Sequence, residues 1–186
     1  MIRQAKPDDA AAIASLIILA MDSLAAKFVA GKDPEEAVLL FERFAALPAN
    51  QYSYENTLVY EDGAGVSGMI SAYDGADLEL LRAPFLAYIS HKYGFPEHIE
   101  HETQAGEYYI DCVSVAPGKQ GKGIGKELIR ALIAHALSIN KPLVGLLVSK
   151  ENPKAEKLYA SLGFQTVNEK EFMGGNYLHM QYKTLV

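Results

Sequence analysis

The order of elements in the sequence predicts an α+β fold around one mixed, mostly antiparallel sheet. Three observations carry this. Strand patterns at 54–61 and 66–73 are joined by the turn-rich "EDGAG". A strand, a tight turn, a helix and an apolar strand follow one another between 107 and 149. Two further strand patterns close the chain. Strands and helices mixed in this way need a layered sheet-and-helix core.

Taken in order, "MIRQA" reads as a short first strand. "KPDD" is a turn with a helix start, where Asp8 or Asp9 can cap. Ile13, Leu16, Ile17, Ala20, Leu24 and Phe28 then recur at helical spacing, and Gly31 ends that helix. Asp33, Pro34 and Glu36 form a capping-box-like start to a second helix, whose apolar side is Val38, Phe41 and Ala45. "PANQ" at 48–51 is a loop. After the hairpin comes an insertion at 75–106. Leu78, Leu81, Phe85 and Ile89 suggest a helix interrupted near Pro84, and a polar loop follows. A long insertion inside a compact domain often forms a binding wall or lid. A helix is expected over about 121–138, with Leu128, Ile129, Leu132, Ile133, Ala136 and Leu137 as its apolar stripe. "PLVGLLV" is a buried-type strand, and "NPKAEKLYASLGF" is a helix stopped by Gly163.

The 186 residues suit one domain spanning 1–186. A hydrophobic fraction of 49% excludes a disordered chain, and a net charge of −6 gives no overall basic field for nucleic acid. The single cysteine, Cys112, excludes an internal disulfide framework. No signal peptide or membrane span is read, so the expectation is a cytoplasmic protein. His91, His98 and His101 lie among Glu97, Glu100 and Glu102, but their spacing matches no metal site.

The chemistry sits in "QGKGIGKEL", where Gly121, Gly123 and Gly125 alternate just before a helix. A helix N-terminus carries unpaired N–H groups and partial positive charge, and glycine lets an anion approach them. Lys119, Lys122 and Lys126 add charge around the turn. A Walker loop fails because Ile124 follows Gly123 where lysine is needed. A dinucleotide fingerprint fails at Lys126 or at Leu128, depending on where it starts. The pattern that fits is V-x-P-x-x-Q-G-x-G-I-G, from Val115 through Pro117, Gln120, Gly121 and Gly123 to Ile124 and Gly125.

That pattern resembles the GNAT superfamily of acyl-CoA-dependent N-acyltransferases. Its pyrophosphate motif, Q/R-x-x-G-x-G/A, is met by Gln120, Gly123 and Gly125. A second element agrees in order and spacing: Asn152, Ala155, Leu158, Tyr159, Leu162, Gly163 and Phe164. The resemblance covers roughly 107–168. It implies a GNAT-like sheet splayed between the strand at 107–115 and the strand at 142–149. It also implies that Gln120, Gly121, Lys122, Gly123, Ile124, Gly125 and Lys126 hold the pyrophosphate of acetyl-CoA. Backbone groups of Val113 and Val115 would pair with the pantetheine arm. Asn152 would contact that arm or cap its helix, and Lys154 would reach the phosphates. Tyr159 takes the place of the family's general acid, protonating the CoA thiolate as it leaves.

The base is read from the strand itself. Strict alternation along "EYYIDCVSV" puts Glu107, Tyr109, Asp111, Val113 and Val115 on one face. Asp111 lies in an otherwise apolar strand, where an unpaired carboxylate is costly, so it is favoured over Glu107 as base or amine anchor. Cys112 reads as a core thiol. The expected function is direct transfer of an acetyl group from acetyl-CoA to a primary amine, without metal. The amine would enter opposite the CoA, between the first two helices, the insertion and the last hairpin. The alternative is an acyl-CoA-sensing module without turnover. The resemblance also allows a homodimer.

Overall fold

A computed structural model describes residues 1–21, 23–31, 33–96 and 98–184, so Glu97 lies outside the described residues. Among the described residues seven strands form one sheet: β1 (Ile2–Gln4), β2 (Thr57–Asp62), β3 (Gly65–Asp74), β4 (Tyr108–Val115), β5 (Leu143–Ser149), β6 (Gln165–Phe172) and β7 (Gly175–Lys183). Their order is β1-β2-β3-β4-β5-β7-β6. Every neighbouring pair is antiparallel except β4 with β5. The mixed, mostly antiparallel sheet expected from the sequence is therefore present.

Adjacent residues of a strand point to opposite faces, and the sheet is covered on both. Met69 of β3 joins the core formed with α1 (Ala10–Met21), α2 (Ser23–Phe28), α3 (Pro34–Ala46) and α4 (Leu78–Tyr93). Its neighbour Ile70 joins the second core, under α5 (Ile124–Ser138) and α6 (Pro153–Ser161). Leu128, Ile129 and Leu132 supply the α5 side of that core. Among the described residues no helix is long and apolar enough to cross a membrane.

Phe85 fixes α4 in place. Its ring lies 5.3 Å from Phe28, 5.7 Å from Phe41, 5.1 Å from Phe44 and 4.6 Å from Tyr52, centroid to centroid. Each such pair adds about 0.5–1.5 kcal/mol beyond simple burial. The expected interruption at Pro84 does not occur, and α4 runs through it. The carbonyl that Pro84 leaves without a helical donor belongs to Leu80, a residue that is 75% exposed, on the solvent side of the helix.

Two features of β4 position the site. First, β4 and β5 pair only at Tyr108–Val144, Tyr109–Gly145 and Ile110–Leu146, and then part. This is the splay expected between 107–115 and 142–149. Second, the register against β3 slips by one residue: Ser71 faces Cys112 while Ala72 faces Ile110. Asp111 is the extra residue of a bulge. The expected common face therefore breaks at Asp111. Val113 and Val115 join Tyr108 and Ile110 in the core under α5, while Tyr109 packs with Tyr73 and Leu78 and Cys112 joins the α1–α4 core. A bulge inserts one residue and inverts the alternation after it.

Candidate active site

Helix α5 begins at Ile124, three residues later than expected, because Gly121 (φ 74°) and Gly123 (φ 88°) are left-handed. Ordinary side chains avoid this region, and a Cβ at either glycine would meet nothing within 4 Å. Backbone conformation and an open approach, rather than crowding inside the protein, explain these two glycines. No side chain caps α5, and the helical ladder opens with Glu127 N–H donating to Gly123 C=O at 3.1 Å. The N–H groups of Ile124, Gly125 and Lys126 precede that ladder at the positive end of the helix dipole. Gln120 steadies the loop by donating from Nε2 to the Val115 carbonyl at 2.9 Å. Lys122 and Lys126 are exposed. Lys119 has a different task from the one expected: its Nζ lies 2.7 Å from Asp62 Oδ2 and ties the loop to β2. That bond holds the Asp62 carboxyl below its ordinary range.

From this loop a cavity of about 1100 Å³ runs along the opening between β4 and β5. Val113, Val115, Gln120, Asn152 and Tyr159 line it. Asn152 caps α6, its Oδ1 accepting from Ala155 N–H at 3.1 Å, so the capping reading describes its side chain. Lys154 is exposed and lies outside the cavity lining. Tyr159 is buried edge-on against Phe164 at 5.9 Å. Burial, and secondarily Cys112, push its phenol up, so it is protonated at neutral pH.

The inner end of the cavity holds a buried polar network. Asp111 Oδ1 accepts from Gln51 Nε2 at 3.1 Å, while its Oδ2 is buried without a hydrogen bond. Gln51 Nε2 also donates to Glu102 Oε1 at 3.0 Å, and the Tyr73 hydroxyl donates to the same oxygen at 3.1 Å. Glu102 Oε2 pairs with Arg82. Both residues of that pair are only 2% exposed. Burial first, then Glu102, raise the Asp111 carboxyl to about 7, against the pull of Gln51, Arg82 and Tyr73. Burial also raises the Tyr52 and Tyr109 phenols, with Asp111 and Glu102 adding to it.

Glu107 sits elsewhere. It is buried over Gly145, outside the cavity lining. Oε1 accepts from Thr103 at 2.7 Å, and Oε2 accepts from His179 Nε2 at 2.8 Å and Gln181 Nε2 at 2.7 Å. Burial works to raise its carboxyl, but these three donors outweigh it and hold the group below the ordinary range. The structure therefore separates the two carboxylates paired in the sequence reading: Asp111 opens on the cavity and Glu107 does not.

Sequence reasoning missed Gln51, Tyr73, Arg82 and Glu102, which reach the site from four different segments. Arg82 did leave a signal, a charge on the stripe Leu78, Leu81, Phe85, Ile89. The outer wall was also unread. Phe172 at the end of β6 and Met173 and Gly174 of the β6–β7 turn line the cavity, as do Leu24, Lys27 and Phe28 of α2. Lys27 Nζ donates to the Met173 carbonyl at 2.8 Å, and Met173 N–H donates to Glu100 Oε2 at 3.2 Å. Of the three expected histidines, His101 lies 2.7 Å from Glu79 on the surface. Among the described residues, no cluster of three or more His, Cys, Asp or Glu is placed to hold a metal ion.

A family model described as Acetyltransferase (GNAT) family matches residues 19–164. A mycothiol acetyltransferase of Actinosynnema mirum is 35% identical over 104 residues, which is 56% of this chain and 30% of that protein. A spermine/spermidine N(1)-acetyltransferase of Bacillus subtilis is 36% identical over 81 residues, covering 43% of this chain and 53% of that protein. The chain thus spans about half or less of the length of these curated relatives. Among solved structures, an acetyltransferase 33% identical superposes with a TM-score of 0.82 over the whole of both chains. An N-acetyltransferase from Staphylococcus aureus Mu50, 25% identical, gives 0.84 over 98% of this chain and 100% of that one.

Proposed function

The chain belongs to the acetyltransferase (GNAT) family, and from that premise we propose that it transfers an acetyl group from acetyl-CoA directly to a primary amine of a small molecule or peptide. One observation carries the reading: the opening between β4 and β5 reaches Gln120, in the glycine-rich loop that precedes the uncapped start of α5. A row of unpaired strand groups ending at a cluster of free N–H groups suits a ligand with an amide-bearing arm and a pyrophosphate.

In this reading the N–H groups of Gly123, Ile124, Gly125 and Lys126 hold the pyrophosphate, with Gln120, Gly121 and Lys122 shaping the turn. The β4 backbone at Val113 and Val115 pairs with the arm, which directs the thioester toward Asp111 and Tyr159. Asp111 takes the proton that the attacking ammonium must lose. A carboxyl near 7 is half ionised at neutral pH, close to the best compromise for a base. Attack on the thioester carbonyl forms the amide bond and breaks the C–S bond. Tyr159, protonated and facing the cavity, donates to the departing thiolate. We assign Glu107 to holding β4, β5 and β7 together rather than to proton transfer, and Lys154 to the solvated rim.

We further place residues 1–186 in one acyltransferase domain, with 75–106 as an acceptor-side insertion, working in the cytoplasm without nucleic acid or membrane and allowing a homodimer. The sensing alternative is not favoured, because an orphaned carboxylate oxygen at the donor's reactive end has no use in binding alone. Calorimetry with acetyl-CoA tests the reading. Saturable binding is expected, and an absence of heat at high micromolar protein would overturn it.

A further inference from the structure

The acceptor half of the cavity has a chemistry of its own, set by three features. The first is charge. Of the carboxylates at its inner end, Glu102 is already answered by Arg82, and only Asp111 Oδ2 has no partner. One buried acceptor oxygen without a donor calls for one cationic or N–H-bearing group. Among the described residues the remaining acidic lining residue, Glu151, is exposed near the start of α6, on the donor side. The second feature is the walls. Leu24, Phe28, Phe85, Leu86 and Ile99 face the space between Asp111 and the outside. Lys27, which lines this side, would repel a second positive charge.

The third feature is the roof. Met173 is held at φ 47°, an uncommon conformation for a non-glycine residue. Its carbonyl is fastened to α2 through Lys27, and its N–H to the 94–107 loop through Glu100. Lys170 adds a bond to the Glu102 carbonyl at 3.3 Å. The β6–β7 turn is thus a strap tied to both walls of the acceptor pocket. A polypeptide acceptor needs an open groove for the chain behind its reacting amine, and the strap crosses that path.

Resting on the acetyl-transfer reading above, we propose that the acceptor is a small primary amine with one positive charge on an apolar body, seated with its nitrogen at Asp111 Oδ2 beneath the Met173 strap. Polyamines and protein N-termini are excluded, the first by Lys27 and the apolar walls, the second by the strap.

The test is CoA release at saturating acetyl-CoA with propylamine, butylamine, hexylamine, phenethylamine, spermidine and a short peptide with a free N-terminal alanine. The kcat/KM should rise about four-fold per added methylene until the walls are filled. Phenethylamine or hexylamine should exceed spermidine and the peptide by at least about ten-fold. Preference for spermidine or the peptide, or a flat alkylamine series, overturns the proposal while leaving acetyl transfer standing. No transfer to any amine, with acetyl-CoA binding intact, overturns the transfer reading and this proposal with it. Glu100→Ala, outside the cavity lining, releases the strap on one side. It should raise peptide use relative to hexylamine several-fold, and an unchanged ratio counts against the strap.

Discussion

Replacing Asp111 with Asn should make the protein more stable at neutral and alkaline pH while removing its activity. The carboxyl stands at about 7 in the fold against 3.8 in the unfolded chain. A group raised by folding contributes its stability below its unfolded value and loses it as pH climbs through the folded one. At about 1.4 kcal/mol per pH unit, the ionised carboxylate costs the folded state about 4 kcal/mol above pH 7. Asn keeps an oxygen to accept from Gln51 Nε2 but carries no charge to bury. The variant's advantage should therefore grow from about pH 4 to about pH 7 and then level off, with about 3 kcal/mol of it gained between pH 5 and pH 8. Denaturant unfolding of both proteins without ligand, at pH 5, 6, 7 and 8, measures the difference directly. In the same variant kcat/KM should fall by about 10²–10⁴, the usual worth of a positioned base. The wild-type rate should rise tenfold per pH unit below about 7 and flatten above it. A stability difference that stays constant across this range, or an Asn variant that becomes the weaker protein at pH 8, would refute the reasoning.

Three further outcomes follow. Tyr159→Phe should lower kcat by about 10² with little change in the KM for acetyl-CoA, provided chemistry limits the rate; unchanged single-turnover rates would remove Tyr159 as the acid. Gly123→Ala should cost about 1–2 kcal/mol of stability through its positive φ and weaken acetyl-CoA binding at least about ten-fold; calorimetry giving the wild-type affinity would show that the ligand does not approach this backbone. Gly145→Ala would drive a Cβ into the Glu107 carboxylate and part it from His179, for a loss of about 3–5 kcal/mol in denaturant unfolding; a loss under about 1 kcal/mol would mean the pair has room to move.

The donor side was legible because its demands are local. Gly121 and Gly123 adopt left-handed backbone, which glycine enters at the least cost, and that preference shows in the sequence. Asp111 was legible as a charge that an apolar strand does not explain. The acceptor side was not, because Gln51, Tyr73, Arg82 and Glu102 meet only after the sheet and α4 have packed. The facing of Val113 and Val115 was misread for a related reason. Nothing in "YIDCV" announces a bulge, which depends on how β3 pairs with it. Pro84 misled in the opposite direction: α4 runs through it, on a face where Leu80, four residues earlier, is exposed to solvent.

The short seam between β4 and β5 has a consequence for the order of events. With three residue pairs in common, the sheet is nearly two sheets sharing one hinge line. Past that line β4 presents an unpaired edge inside the molecule, the kind of edge that elsewhere recruits a foreign strand. An extended ligand arm lying there acts as a surrogate strand and completes the lamina. The acyl donor is then a building material before it is a reagent: until it is laid in, the acceptor pocket lacks its donor-side wall. Donor should add before amine, and the amine alone should bind poorly to the unladen protein.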